Sequence, residues 1–373
     1  MSTTFMFLLA GIFLTVLMVV GVHELGHFLA ARLLGIRVLK FSLGFGRELA
    51  SFTDRKKTRY SLSLIPLGGY VSLLEESDAT NEDRHQVFSR QPLWKRFSVI
   101  AAGPLTNLLF ALLLYWIIFM TGFTSILPVT GEVTPHSIAK NAGMSSAQQI
   151  TQVDGTEVKS WTGVMFRILD HIGNHDILKI ETKNRHSNVT HHYTLDLSTW
   201  KLDPLKPDPL GSLGLSPWLP KISGKMNTQT PTLPGWLLYK NKYDPLTAFR
   251  HAWQNTRDFS VLNLKMTVRI LEGQLSLKSL GGPISIFGQA GQALHNGAVP
   301  FISFVAFLSI AVGIINILPI PGLDGGHLLF QIIESVTRRP ISERLMALFQ
   351  RIGIIFIVMI AIQAIVNDLM RLK

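Results

Sequence analysis

The sequence contains no cysteine. That excludes disulfides and any thiolate metal site, so a metal held by this chain must be bound through histidine and carboxylate. Charge is scarce too: 16% of the 373 residues are Asp, Glu, Lys or Arg, against 47% apolar, and the mean hydropathy is +0.30. Such a balance argues against a soluble enzyme and for several membrane spans with an attached domain. No Lys or Arg precedes Arg32, so the basic segment that opens a cleavable signal peptide is missing. The net charge of +11 is not gathered into a basic patch interleaved with aromatics, which argues against nucleic acid as a partner. No internal repeat is visible.

What is present is apolar sequence in long runs. Four spans are expected, at about Phe5–Leu33, Phe97–Thr121, Pro300–Leu318 and Met346–Val366, each long enough for a ~30 Å hydrocarbon core. Residues 32–96 carry 12 Lys and Arg, and the link between spans three and four carries Arg338, Arg339 and Arg344. Both segments are expected in the cytoplasm, which places the N- and C-termini and the long stretch 122–299 outside. The expected division is a first half of the membrane core at 1–125, an exterior α/β domain at 126–216, a linker with an amphipathic helical segment at 217–299, and a second half of the core at 300–373.

Within the first half, Val38–Gly46 and Arg59–Ile65 alternate with period two about the turn-like Thr53-Asp54-Arg55-Lys56-Lys57. The pattern predicts a β-hairpin over 37–73, closed by Pro66-Leu-Gly68-Gly69-Tyr70. At membrane depth such backbone needs cover from protein or a wet cavity. In the exterior domain, Thr130–Val133 and Ile150–Val153 read as strands, the latter ending in the turn Asp154-Gly155, and Trp161–Ile172 reads as an amphipathic helix.

The residues that carry chemistry lie in the first span. His23-Glu24-Leu-Gly-His27 puts two imidazoles one helical turn apart with a carboxylate beside them, where ionisable groups are costly and functional by default. His23 precedes Arg32 by about nine residues, or very roughly 14 Å along a helix. Span three, entering from the same side, reaches Asp324 in the sequence Asn316-Ile-Leu-Pro319-Ile-Pro321-Gly-Leu-Asp324-Gly325-Gly326-His327. Both motifs approach the cytoplasmic half of the membrane. His23, His27 and Asp324 are the expected ligands of one zinc ion, three protein ligands with an open position, and Glu24 the expected general base of peptide hydrolysis. His327 is a rival ligand. Asn107 and Asn316 are intramembrane amides suited to holding substrate backbone or a developing oxyanion, or to interhelical hydrogen bonding. Gly44, Phe45 and Gly46 mark the hairpin, whose edge around Phe41–Leu43 would hold an unwound substrate by strand addition. A metal transporter would bury similar groups but usually shows inverted repeats and more spans. A catalytically silent scaffold would be expected to lose Glu24.

These motifs, with Gly103-Pro104-Leu-Thr-Asn107 and Gly282-Pro283-Ile284-Ser285-Ile286, occur in the order found in the site-2 protease family of intramembrane zinc metalloproteases, which the chain resembles over most of its length. The resemblance implies His23, His27 and Asp324 as zinc ligands, Glu24 as base and a bacterial inner-membrane location. It implies a substrate that is a single-pass membrane protein, typically an anti-sigma factor already trimmed by a first protease. It also implies that 126–216 is a periplasmic PDZ domain. Close relatives in that family carry two such domains in tandem. Here one is evident, the Pro-rich 217–243 stands in place of the second, and Ala147-Gln148-Gln149 replaces the usual Gly-Asp before the Ile-x-x-Val-Asp-Gly strand. The fold class expected is therefore a four-span α-helical membrane protein with a membrane-associated β-hairpin and one exterior PDZ-like domain.

Overall fold

The computed structural model describes residues 3–174, 176–184, 189–203, 208–220, 233–339 and 341–371. In chain order they form α1 (Thr3–Leu33), β1 (Val38–Thr53), β2 (Arg59–Leu73), α2 (Leu93–Thr121), β3 (Phe123–Ile126), α3 (Ile138–Asn141), β4 (Gln148–Val153), β5 (Thr156–Glu157) and α4 (Trp161–Leu169). There follow β6 (Ile177–Asn184), β7 (Thr190–Asp196), α5 (Pro209–Leu213), β8 (Leu238–Asn241), α6 (Pro245–Leu271), α7 (Pro283–His295), α8 (Ala298–Ile317), α9 (Asp324–Thr337) and α10 (Glu343–Arg371). Part of the expected linker, residues 221–232, lies outside the described residues.

Among the described residues, four helices are long and apolar enough to cross a membrane: Thr4–Leu33, Leu93–Thr121, Ala298–Ile317 and Arg344–Arg371. They coincide with the four expected spans, the second beginning four residues earlier and the fourth continuing to Arg371. Phe5, Leu9, Phe13 and Leu17 leave large apolar surface uncovered along α1. A helix with no polar face is stable there only in hydrocarbon.

The chain divides into two compact units. One comprises Met1–Ile118, Thr247–Leu264 and Gly281–Asp368, and holds the four apolar helices and the first sheet. Its sheet is more folded than a hairpin. β1 and β2 pair, but the register doubles each strand over: Lys40–Leu43 lie opposite Gly69–Ser72 on one side and Arg59–Leu62 on the other, while Glu48–Thr53 lie opposite Arg59–Ser63. Gly44 and Gly46, at φ 89° and 82°, make that fold-over possible. The inner face packs on α1, with Phe28, Ala31, Ile36, Val38 and Val99 buried together. Ser42, Ser61 and Ser63 are buried in the centre and satisfy one another, Ser61 Oγ lying 2.9 Å and Ser63 Oγ 3.3 Å from Ser42 Oγ.

After α8 the chain leaves the helix at Leu318. Pro319 and Pro321 lack the N–H needed to continue it, and Gly322 turns the backbone at φ 90°. α9 then starts at Asp324, whose carboxylate stands in the first turn, where the helix dipole favours a negative charge. The buried Asp368 of α10 accepts hydrogen bonds from the Gly282 and Ser285 amides, at 2.9 and 3.0 Å, and so caps the start of α7.

The other unit comprises Phe119–Leu246, Lys265–Leu280 and Leu369–Lys373. Its sheet runs in the order β5-β4-β6-β7, all neighbours antiparallel. β6 alternates exposed and buried positions along most of its length, the pattern of a half-covered strand. Ile150, Val164, Ile168, Leu178, Ile180 and Leu195 form the centre of its core. β4 turns into β5 through Asp154 and Gly155, both at positive φ (48° and 70°), as a two-residue hairpin loop of type I′ requires. β3 pairs with β8 in a separate ribbon.

Candidate metal centre

The helical spacing does what the sequence suggests. His23 and His27 stand one turn apart on α1 with their Nε2 atoms 3.2 Å apart. Asp324, at the start of α9, brings Oδ2 to 3.0 Å from His23 Nε2 and 3.3 Å from His27 Nε2. Among the described residues these three form the one group of His, Asp and Glu whose donor atoms could share an ion. Their side chains are 10%, 12% and 19% exposed, so a charge there meets little solvent.

Donor atoms around a tetrahedral ion at ~2.0–2.1 Å stand roughly 3.3–3.4 Å apart. The observed triangle of 3.0, 3.2 and 3.3 Å fits that spacing. Asp324 Oδ2 is buried at salt-bridge distance from two imidazoles, yet no aligned hydrogen bond satisfies it. An unsatisfied buried carboxylate oxygen facing two ring nitrogens is an arrangement that a cation completes. With two imidazoles, one carboxylate and no thiolate, the donor set suits zinc.

The orientation of each imidazole is set by a neighbour on α2. His27 Nδ1 lies 2.8 Å from the Val99 carbonyl oxygen. His23 Nδ1 lies 3.4 Å from the Asn107 side-chain amide. Close helix approach makes both contacts possible. A Cβ on Gly26 would lie 2.6 Å from the Ala102 carbonyl oxygen, and a Cβ on Gly103 would overlap the His27 ring. The glycines beside Asp324 work in the same way. Neither Gly325 nor Gly326 is at positive φ, but side chains there would overlap the carbonyls of Leu318 and Ile320 in the link from α8.

Glu24 faces the sheet. Its Cγ would lie 2.9 Å from a Cβ at Gly69, and the Val71 backbone amide faces its carboxylate. The segment Gly69–Leu73 pairs on one side only, with Val38–Leu43, which leaves it an edge strand close to Glu24. Phe41–Leu43, the edge expected from sequence, is instead paired on both sides, because the doubled register places it between two segments of β2. Gly44 approaches the Ile65 and Ser63 carbonyls of its own sheet, Gly46 the Ile65 side chain, and Phe45 stacks on Tyr70 at 6.1 Å. Asn107 is fully buried, and Asn316 is half-buried near the end of α8, outside the donor cluster. His327, the rival ligand, also lies outside it, with Nε2 3.3 Å from Gln350 Nε2. Val99 escaped the sequence reading because it acts through a backbone carbonyl, and Gly69 entered it only as part of the segment that closes the hairpin, because it acts through a missing side chain.

The sequence profile of peptidase family M50 matches residues 11–360. Among curated proteins, the chain is 33% identical to protease RseP of Yersinia pestis, over 95% of this chain and 96% of the relative. It is 32% identical to the regulator of sigma-E protease RseP of Escherichia coli K12, over 99% and 100%. It is also 32% identical to a putative zinc metalloprotease of Vibrio cholerae, over 95% and 96%. The alignment with the Escherichia coli protein spans 449 positions against 373 residues here, so that relative carries internal segments without a counterpart in this chain.

Proposed function

The chain belongs to peptidase family M50 and is a membrane metalloprotease of the site-2 type; on that premise we propose that it hydrolyses a peptide bond within or near the transmembrane segment of a single-pass membrane protein. The observation that carries this is the convergence of His23 and His27, on the apolar helix α1 beside Glu24, with Asp324 at the start of α9. His23, His27 and Asp324 would hold one zinc ion. Zinc in such a setting supplies Lewis acidity toward a carbonyl oxygen and makes water a nucleophile at neutral pH. Glu24 takes the proton of the attacking water and delivers it to the leaving amine, so that each protonation state it needs is regenerated in the cycle.

A transmembrane helix hides its amides in internal hydrogen bonds, so the substrate must be unwound before it is cut. The free edge of Gly69–Leu73 receives the unwound segment by strand addition, directly beside Glu24. Gly44, Phe45 and Gly46 shape the sheet behind that edge. Asn316 supports the substrate backbone or the oxyanion, a role the sequence also offers Asn107.

The names of the relatives, regulators of sigma-E, favour an anti-sigma factor, already trimmed by another protease, as the substrate in an envelope stress response of the bacterial inner membrane. Residues 126–216 act as a PDZ-like domain in the periplasm that screens substrates by size, with 217–299 as the connection to the second half of the core.

Purified wild type and Glu24→Gln test this together. Both are expected to contain one zinc per chain, and only the wild type to cleave a single-span substrate. Zinc uptake without cleavage would point to transport instead, and wild type without zinc would remove the roles given to His23, His27 and Asp324.

A further inference from the structure

Two histidines that bind one metal through Nε2 must both keep the proton on Nδ1. For His27 this is settled by Val99, whose carbonyl oxygen can only accept and lies 2.8 Å from Nδ1. His23 faces no carbonyl. Its Nδ1 lies 3.4 Å from the amide of Asn107, a residue with no exposed surface. An amide can present either end, since a half-turn about its last bond exchanges oxygen and nitrogen. With the nitrogen toward His23, Nδ1 must accept. The ring proton then sits on Nε2, between His27 Nε2 and Asp324 Oδ2, where it blocks a metal. That orientation also leaves Asn107 Oδ1 buried without a partner.

We propose that Asn107 is a positioning residue: its side-chain oxygen accepts the Nδ1 proton of His23 and keeps the His23 Nε2 lone pair directed at the metal position. The inference rests on the zinc reading above and changes the role of Asn107 from contact with substrate to control of a ligand's tautomer. Its neighbours hold it in register. Ser309 Oγ donates to the Asn107 carbonyl at 3.0 Å, and Gly313 leaves α8 close enough that a Cβ there would lie 3.4 Å from Asn107 Cβ. One histidine is thus oriented by backbone, the other by a side chain, and only the second can be altered by substitution.

The test uses the full chain in detergent. Zinc dissociation constants are measured by chelator competition for wild type, Asn107→Leu and Asn107→Asp, with kcat at saturating zinc and thermal unfolding of the zinc-free protein. Leu has similar volume and no acceptor. Asp keeps an oxygen in place. The expected result is a roughly 10–100-fold weaker zinc affinity in Asn107→Leu, most of it recovered in Asn107→Asp, with unchanged unfolding of the zinc-free forms. Asn107→Leu that binds zinc like wild type but has a lower kcat would overturn the proposal and return Asn107 to the substrate. Equal loss in both variants with lowered zinc-free stability would overturn it in favour of packing. A failure of the zinc reading itself is distinguishable: His23→Ala would then bind zinc as wild type does.

Discussion

A methyl group at position 103 would overlap the imidazole of His27. Gly103 therefore matters to the proposed metal site although it offers no ligand, since the His27 ring occupies the space its missing side chain leaves. Gly103→Ala is expected to displace His27 from the shared position and weaken zinc binding by about tenfold or more, the range seen when the support of a ligand is lost. Chelator competition would read this directly, and a variant with wild-type affinity would show that α2 can retreat from α1 at little cost. The same residue scale explains what could be foreseen here. His23, Glu24, His27 and Asp324 are side chains whose chemistry is written in their type and spacing. Val99 works through a carbonyl that any residue would supply, and the orphaned oxygen of Asn107 is visible only once the fold brings it to His23.

At the scale of the element, the β1–β2 sheet shows where pattern reading stops. Period-two alternation predicted two strands and a turn, and both strands are there. It could not predict that each strand doubles over, because Gly44 and Gly46 permit that path without demanding it. On the proposed mechanism this decides where substrate would pair, since Phe41–Leu43 becomes central and Gly69–Leu73 the edge strand near Glu24. Proline on an edge strand removes an outward N–H while sparing the ladder. Val71→Pro removes the amide that faces Glu24 as well as an edge donor, and is expected to retain zinc and to cleave at least about tenfold more slowly, one hydrogen bond being worth ~1.4 kcal/mol. Undiminished cleavage would count against strand addition at this edge. A second element, the β4–β5 turn, carries a pH prediction. His171 bridges Asp176 and Asp154, each at 2.7 Å. Burial opposes its charge, but the two carboxylates outweigh burial and raise its pKa above the ordinary value of 6.5. Because the folded-state pKa is the higher one, the stabilisation is complete below about pH 6.5 and is lost as pH rises through the raised value. The unit that holds His171 should melt roughly a few degrees lower at pH 9 than at pH 6. Tryptophan fluorescence would follow this through Trp161 and Trp200, and His171→Gln should abolish the difference.

On the scale of the whole molecule, the sequence made the four apolar helices legible because hydrocarbon imposes a length that no soluble fold requires. The connections were less legible. α7 follows Gly282-Pro283, a helix start that reads equally well as a loop, and the cap it receives from Asp368 comes from more than eighty residues away. Orientation in the membrane rests on charge alone. By the positive-inside rule Arg55, Lys56 and Lys57, between β1 and β2, are expected on the cytoplasmic side, and the long stretch that includes Lys140 on the opposite side. The absence of cysteine turns this into a clean experiment, since a single introduced thiol has no background to compete with. Lys56→Cys in inverted membrane vesicles should react with an impermeant maleimide without detergent, whereas Lys140→Cys should react only after the vesicles are opened. In spheroplasts the two should exchange behaviour. The reverse pattern would turn the protein over, and with it the side from which water must reach Glu24.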